Sequence, residues 1–488
     1  MYFIRIGVCI FLALHIVACG GQKPSGNKPA LTLQSCRLEG VAIEARCGKL
    51  EVFENRQTNS GRKIALNIAV IPSVSAYPQP DPIVFLAGGP GQAAVKLGQG
   101  AYQILNKARR EREIVLLDQR GTGKSNPLDC NDKNKNLTLA EKLVDPDAPA
   151  QMQACLQKLD AAPEHYTTPN AVADLDAVRE ALGYDKLNLF GISYGTRMAL
   201  SYLRAYPQHV RSAMLDGVAP TALKLPLYAG RDTLSALQRT LDDCIKDTYC
   251  KKLAPDLQQD VLQISEALEK APVKISLNNP ATNEKTELVM DQRIFASSLR
   301  SILYRVSYAS MLPLTIGEAK KGNFAPLIAQ TTAYSADLED SMSLGMFMSV
   351  ICAEDVPQIG QGEIQRLANP LFHADMFESL LKTCAIWPKG KIPPEHVAPV
   401  ISDVPVLLMS GALDPATPPL WGELVAKTLS RSKHIVAENL SHNVSPHGCF
   451  PQLMADFLKA GNADKLDAGC VKNFSRPAFF TNFSGPPS

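Results

Sequence analysis

A chain of 488 residues with 50 Lys+Arg against 48 Asp+Glu carries a formal net charge of +2, with 45% apolar and 20% charged residues. The apolar content excludes disorder, and the balanced charge argues against a nucleic-acid partner, which calls for a basic excess. At roughly 100–200 residues per domain, the length admits several domains or one large α/β core carrying an insertion.

At the start, Arg5 precedes an apolar run from Ile6 to Ala18 broken only by His15, too short to span a bilayer and of signal-peptide length. The run ends in Ile16-Val17-Ala18-Cys19. This tetrad is similar to a bacterial lipobox, in which the cysteine thiol is diacylated and the chain is cut in front of it. Residues 1–18 therefore read as a lipoprotein signal peptide and Cys19 as the lipidated first residue, with an ordinary secretory signal as the alternative. The stretch 19–30 is rich in Gly, Pro, Ser and Lys, has nothing to build a core, and reads as a flexible tether. The implied location is outside the cytoplasm, lipid-anchored to a bacterial membrane. In a Gram-negative host, Gly20 after the lipidated cysteine implies the outer membrane, facing the periplasm.

Twelve cysteines less Cys9 in the signal and Cys19 at the anchor leave ten in an oxidising compartment. They fall into five neighbouring couples, which predicts disulfides Cys36–Cys47, Cys130–Cys155, Cys244–Cys250, Cys352–Cys384 and Cys449–Cys470. Free buried thiols are the alternative for any couple. No CxxC or Cys/His cluster points to zinc, and no metal or cofactor is called for.

Ile64, Leu66, Ile68 and Val70 alternate with Ala65, Asn67 and Ala69, which predicts an antiparallel edge strand ending before Pro72. Ile83 to Leu86 and Ile114 to Leu117 are apolar on both faces and run into Gly-rich turns, the pattern of central parallel strands. Val172, Leu175, Val178 and Leu182 predict a helix capped near Asn170 and closed by Gly183. A strand at Leu187 to Phe190, a helix from about Thr196 to Ala205 and a strand ending at Asp216 continue a βα alternation, so the fold class is α/β with a mostly parallel sheet flanked by helices. From Ala222 to Pro394 helical composition takes over, and strand texture returns only at Val404 to Met409 and His434 to Val436. The organisation predicted is one core in two parts, 31–221 and 395–488, interrupted by a helical cap at 222–394; a separate second domain is the competing reading.

Gly191-Ile192-Ser193-Tyr194-Gly195 fits the G-x-S-x-G nucleophile elbow, with a predicted strand before it and a helix after it. A serine needs a base and a group that orients the base, which follow in the order acid, then histidine. Asp414 lies directly after the returning strand, and His442 follows the His434 to Val436 strand; His447 is the nearest rival base. For the oxyanion hole, the N–H of Tyr194 and that of Gly89, in Gly88-Gly89-Pro90-Gly91, are the predicted donors. Gly121-Thr122-Gly123-Lys124-Ser125 is not a phosphate loop, because Asp118 stands where the first glycine is required. A cysteine nucleophile is set aside because the cysteines pair.

LAGGPG (86–91), DQRGTGKS (118–125), GISYG (191–195), CAED (352–355), GALDP (411–415) and SHNVSPHGC (441–449) together resemble the α/β-hydrolase peptidases, typified by prolyl iminopeptidases and, more closely, the secreted tripeptidyl aminopeptidases. The resemblance spans about Cys36 to Cys470 and implies an α/β-hydrolase fold that cleaves a peptide or related acyl bond beneath a cap. It also implies that acidic cap residues, here Glu354 and Asp355, bind the free α-amino group of a peptide substrate. Prolyl iminopeptidases usually carry His where Ala87 stands, which favours the tripeptidyl branch, and family members commonly have Gly where Ser441 stands. The predicted function is a serine aminopeptidase using Ser193, His442 and Asp414. A carboxylic-ester hydrolase on the same scaffold and a non-catalytic ligand-binding lipoprotein are the alternatives.

Overall fold

The computed structural model describes Met1, residues 31–130, Leu139, Leu143, and residues 148–339, 341–373 and 377–486. Apart from Met1, the predicted signal peptide 1–18, the predicted lipidation site Cys19 and the tether 19–30 lie outside the described residues. No described helix is long and apolar enough to cross a membrane.

In chain order the described strands are β1 (Gln34–Cys36), β2 (Ala45–Phe53), β3 (Lys63–Ile71), β4 (Ile83–Leu86), β5 (Ile114–Leu117), β6 (Leu187–Ile192) and β7 (Val210–Asp216). They continue with β8 (Val273–Asn278), β9 (Lys285–Met290), β10 (Val406–Gly411) and β11 (Ser432–Ala437). Nine form one sheet in the order β1-β2-β3-β5-β4-β6-β7-β10-β11. Pairing is antiparallel from β1 to β5 and parallel from β5 through β4, β6, β7 and β10 to β11. The strand predicted over Ile64 to Val70 is antiparallel but not an edge, because β2 and β5 flank it. The two strands before it are hard to read: in β2 only Ala45, Leu50 and Val52 are buried, and Arg46 and Glu51 point outward.

Alternate residues of the central strands feed two cores. Val84, Leu86, Val115 and Leu117 pack with Val172, Leu175 and Val178 of the helix Thr168–Ala181 and with Met198 and Leu200 of the helix Tyr194–Ala205. Ile83, Phe85, Ile114 and Leu116 point the other way, toward Leu453, Met454 and Phe457 of the helix Phe450–Ala460. A strand covered on both faces is apolar at most positions, and β4, β5, β6 and β10 are buried throughout, with Asn188 and Ser410 the polar exceptions. The helix Thr168–Ala181 begins two residues before the predicted cap at Asn170, with Thr167 at its N-cap position and Pro169 in its first turn.

Between β7 and β10 the chain is mainly helical, with its own core of Leu237, Leu241, Phe295, Leu299, Ile302, Ile316 and Ile328. One hairpin, β8–β9, stands within this mainly helical stretch. Its alternation is short and mostly exposed, since of its apolar side chains only Leu277, Leu288 and Met290 are buried. Disulfides join Cys36 to Cys47, Cys130 to Cys155, Cys244 to Cys250, Cys352 to Cys384 and Cys449 to Cys470. Five disulfides indicate an exported protein, since thiols stay reduced in the cytosol.

Candidate active site

Strand β6 delivers Ser193 at its C-terminal end, and the helix Tyr194–Ala205 starts at the next residue. Ser193 has φ 55° and ψ −123°, a conformation that non-glycine residues avoid and that costs about 1–3 kcal/mol. Its neighbours hold it there: the Ser193 N–H donates to the Asp216 carbonyl at 2.9 Å, and Thr196 N–H donates to the Ser193 carbonyl at 2.9 Å. Gly195 permits the close pass of strand against helix, because a Cβ at that position would stand 2.0 Å from the Leu86 carbonyl oxygen.

Asp414 lies in the loop after β10 and His442 in the loop after β11, two strands that pair in register and bring the loops side by side. His442 Nδ1 stands 2.8 Å from Asp414 Oδ2. The other carboxylate oxygen, Oδ1, accepts the N–H groups of Ala416 at 2.7 Å and Thr417 at 2.8 Å, while the Thr417 hydroxyl donates to Oδ2 at 2.9 Å. Burial by itself would raise the Asp414 carboxyl, but the charge and hydrogen bond of His442 and the N–H donors of Thr417 and Ala416 hold it below its ordinary value. Ser441 Oγ donates to the Leu413 carbonyl at 3.1 Å and to the Leu303 carbonyl, stapling the histidine loop to the acid loop and to the cap.

Ser193 and His442 line one cavity of about 690 Å³, with Gly88 and Gly89 beside the serine. Tyr194 opens its helix, so its N–H is one of the donors that a helix N-terminus leaves without an intrahelical acceptor. Its ring is buried, and its hydroxyl is held by Thr168 at 2.6 Å and Gln119 at 3.1 Å. The glycine loop is gripped by the cap: Ser343 N–H donates to the Gly91 carbonyl and Ala93 N–H to the Ser341 carbonyl, both at 2.9 Å. Gly91, at φ +113°, leaves no room for a side chain, since a Cβ there would lie 2.7 Å from the Ser343 carbonyl oxygen.

Residues 81–446 match the family described as alpha/beta hydrolase fold. The chain belongs to the alpha/beta hydrolase family. Serine protease Hip1 of Mycobacterium tuberculosis (strain ATCC 25618 / H37Rv) is 27% identical over 504 aligned positions, covering 94% of this chain and 96% of that one. Putative hydrolase YuaR of Escherichia coli (strain K12) is 23% identical, covering 84% of this chain and 85% of that one. Tripeptidyl aminopeptidase of Streptomyces lividans is 28% identical over a region covering 38% of each chain. The chain is thus a hydrolase of the alpha/beta hydrolase family with peptidase-named relatives.

Within this hydrolase the predicted amine anchors are placed differently from the expectation. Glu354 and Asp355 sit in the wide π-helical turn Ile351–Asp355 that continues the helix Leu344–Val350, both are buried, and neither lines the cavity. Asp355 accepts two hydrogen bonds from Arg197 Nη1, at 3.0 Å each, and burial, opposed by that guanidinium, pushes its carboxyl up to about 6. Glu354 accepts from Thr168 N–H at 2.6 Å and Thr168 Oγ1 at 2.8 Å, and lies 3.0 Å from His396 Nε2. Despite burial, His396 and the remaining partners hold the Glu354 carboxyl below its ordinary value. Asp355 thus ties this segment to the helix that follows Ser193, and Glu354 ties it to the start of the helix Thr168–Ala181.

His447, the rival base, lines the cavity and is lowered by burial, while the Asp414 carboxylate is taken by His442. The sequence reading passed over Thr417 and Asp216. Thr417 carries a local signal, since an Asp at the head of Asp-x-x-Thr commonly accepts N–H groups two and three residues on. Tyr304 was also missed: its ring meets His442 edge-on at 5.1 Å, and Arg300 donates both to its hydroxyl at 3.0 Å and to the Pro415 carbonyl at 2.9 Å. Among the described residues, no cluster of three His, Cys, Asp or Glu side chains could hold a metal ion.

Proposed function

We propose that this chain is a serine peptidase that removes residues or short peptides from free N-termini, with Ser193 as nucleophile, His442 as base and Asp414 as its orienter. The observation that carries the chemistry is the 2.8 Å His442–Asp414 pair opening on the same cavity as a serine held at φ 55°. Ser193 Oγ attacks the substrate carbonyl while His442 Nε2, the nitrogen that Asp414 does not engage, takes the hydroxyl proton. The N–H groups of Gly89 and Tyr194 receive the negative oxygen of the tetrahedral intermediate. The C–N bond then breaks as His442 returns the proton to the leaving amine, and water activated by the same imidazole releases the acyl group.

Support for a peptide substrate comes from the names of the relatives. A second reading, ester hydrolysis, is favoured by one observation: none of the described residues lining the cavity is a carboxylate that could pair with a free amine. Turnover of tripeptidyl amides, their N-acetylated forms and short-chain esters separates the two. Preference for the free amine supports the aminopeptidase, and ester turnover without amide turnover replaces it. Ser193→Ala should abolish turnover and labelling by a fluorophosphonate; a variant that still turns over substrate refutes the assignment.

The proposal extends to location, with Cys19 lipidated and the enzyme tethered to a bacterial membrane, the outer membrane in a Gram-negative host. Support lies in the Ile16-Val17-Ala18-Cys19 tetrad. Cys19→Ser should release the protein from the membrane fraction, and membrane retention of that variant would refute the anchor.

A further inference from the structure

A residue with a fully buried carboxylate, Asp216 at the C-terminal end of β7, bonds both to Ser193 and to the loop that carries His442, and has no role in the chemistry described above. Asp216 stands opposite Ile192 in the β6–β7 pairing, and its backbone carbonyl accepts the Ser193 N–H at 2.9 Å. Its side chain faces the histidine loop, where Oδ1 accepts the Val444 N–H at 2.9 Å and Oδ2 accepts the Ser445 N–H at 2.8 Å. These two residues follow His442 after a single intervening position, Asn443, which turns the chain at φ +66°. The next residue, Gly217, packs against the imidazole so closely that a Cβ there would stand 3.1 Å from His442 Cε1. One residue thus grips the nucleophile through its main chain and the loop that carries the base through its side chain.

We propose that Asp216 is a positioning residue that sets the distance between Ser193 and His442 and supplies a second negative charge behind the imidazole. The proposal rests on the Ser193–His442–Asp414 reading. Backbone hydrogen bonds from a carboxylate are directional and strong, so they hold the histidine loop in one register. The charge bears on the same imidazole: burial raises the Asp216 carboxyl, and the charge of His442 and the Val444 and Ser445 donors oppose that rise. Other groups face His442 from the elements around it. Asp414 and Thr417 lie on the acid loop, Tyr304 and behind it Arg300 come from the cap, Arg305 lines the cavity, and His447 stands farther along the histidine loop.

Asp216→Asn and Asp216→Ser, the latter neutral and smaller so that it cannot clash, test the assignment in the full-length enzyme. Removing the negative charge destabilises the imidazolium, so the acid limb of kcat/KM should move to lower pH by ~0.5 unit. The loosened loop should lower kcat about tenfold, with KM within about twofold of wild type. An unmoved acid limb, or an unchanged kcat, overturns the proposal. Loss of fold in both variants while Asp414→Asn folds also overturns it, since Asp216 would then serve the fold alone. Fluorophosphonate labelling of Ser193 in the wild type is the control: absence of labelling refutes the triad reading beneath the proposal, whereas labelling with unmoved pH profiles refutes only the role of Asp216.

Discussion

Replacing Asp414 with Asn changes one atom, and the hydrogen bonds around it dictate which way the new amide must face. Oδ1 receives two backbone donors, from Ala416 and Thr417 at 2.7 and 2.8 Å, and an NH₂ cannot accept either. The amide oxygen must stay there, which puts the NH₂ where Oδ2 was, 2.8 Å from His442 Nδ1. An NH₂ donates, so Nδ1 must become an acceptor and the ring proton must move to Nε2, the nitrogen that has to take the serine proton. Thr417 does not obstruct this, because its hydroxyl can turn and accept from the amide. The loss expected is about 10⁴ in kcat, or about 5.5 kcal/mol of barrier, with stability within about 1 kcal/mol of wild type. Steady-state kinetics on an activated ester or amide, beside urea unfolding of both proteins, reads the two quantities separately. A loss in kcat below tenfold with a folded variant would refute the tautomer argument and the role of Asp414.

Gly195→Ala should destabilise the fold by about 3 kcal/mol in urea unfolding, because its Cβ meets the Leu86 carbonyl at 2.0 Å; a wild-type midpoint would contradict that packing. The Glu354 carboxyl is lowered in the fold from 4.5, so its ionised form stabilises the protein above about pH 4.5 and that contribution fades as the pH falls through the lowered value. Glu354→Gln should flatten stability against pH across that window and leave the preference between free and acetylated N-termini unchanged; an altered preference would restore Glu354 as an amine anchor. Replacing Cys352 and Cys384 together by Ala opens a crosslink of 32-residue separation and should cost about 3–4 kcal/mol, read as a lowered urea midpoint under non-reducing conditions. An unchanged midpoint would mean that the crosslink does not constrain the unfolded chain.

The parallel half of the sheet was legible because β4, β5, β6 and β10 are covered on both faces, and a doubly covered strand shows as a largely apolar run. β1, β2, β8 and β9 escaped because their outward faces are charged or polar and their buried positions few. Ser193 could be picked out because its backbone demands flanking glycines, a local requirement written in adjacent letters. The internal partners of Glu354 and Asp355 could not be read from their neighbours in sequence. Their partners stand far off in the chain, Asp355 with Arg197 across 158 positions and Glu354 with Thr168 across 186. A carboxylate committed to an internal cation looks the same in sequence as one awaiting a substrate. Asp216 was visible only as the end of a strand, since its task is set by loop N–H groups more than two hundred positions away.

The short β-like contact of Ser341 and Ser343 with Gly91 and Ala93 makes the 341–343 segment and the glycine loop a single mechanical part. Exchanging that segment would bring a foreign backbone against residues 88–93 and shift the glycine loop beside Ser193. Substitutions meant to reshape this cavity should therefore spare 341–343. Transplanting a new specificity requires moving the glycine loop and the cap together.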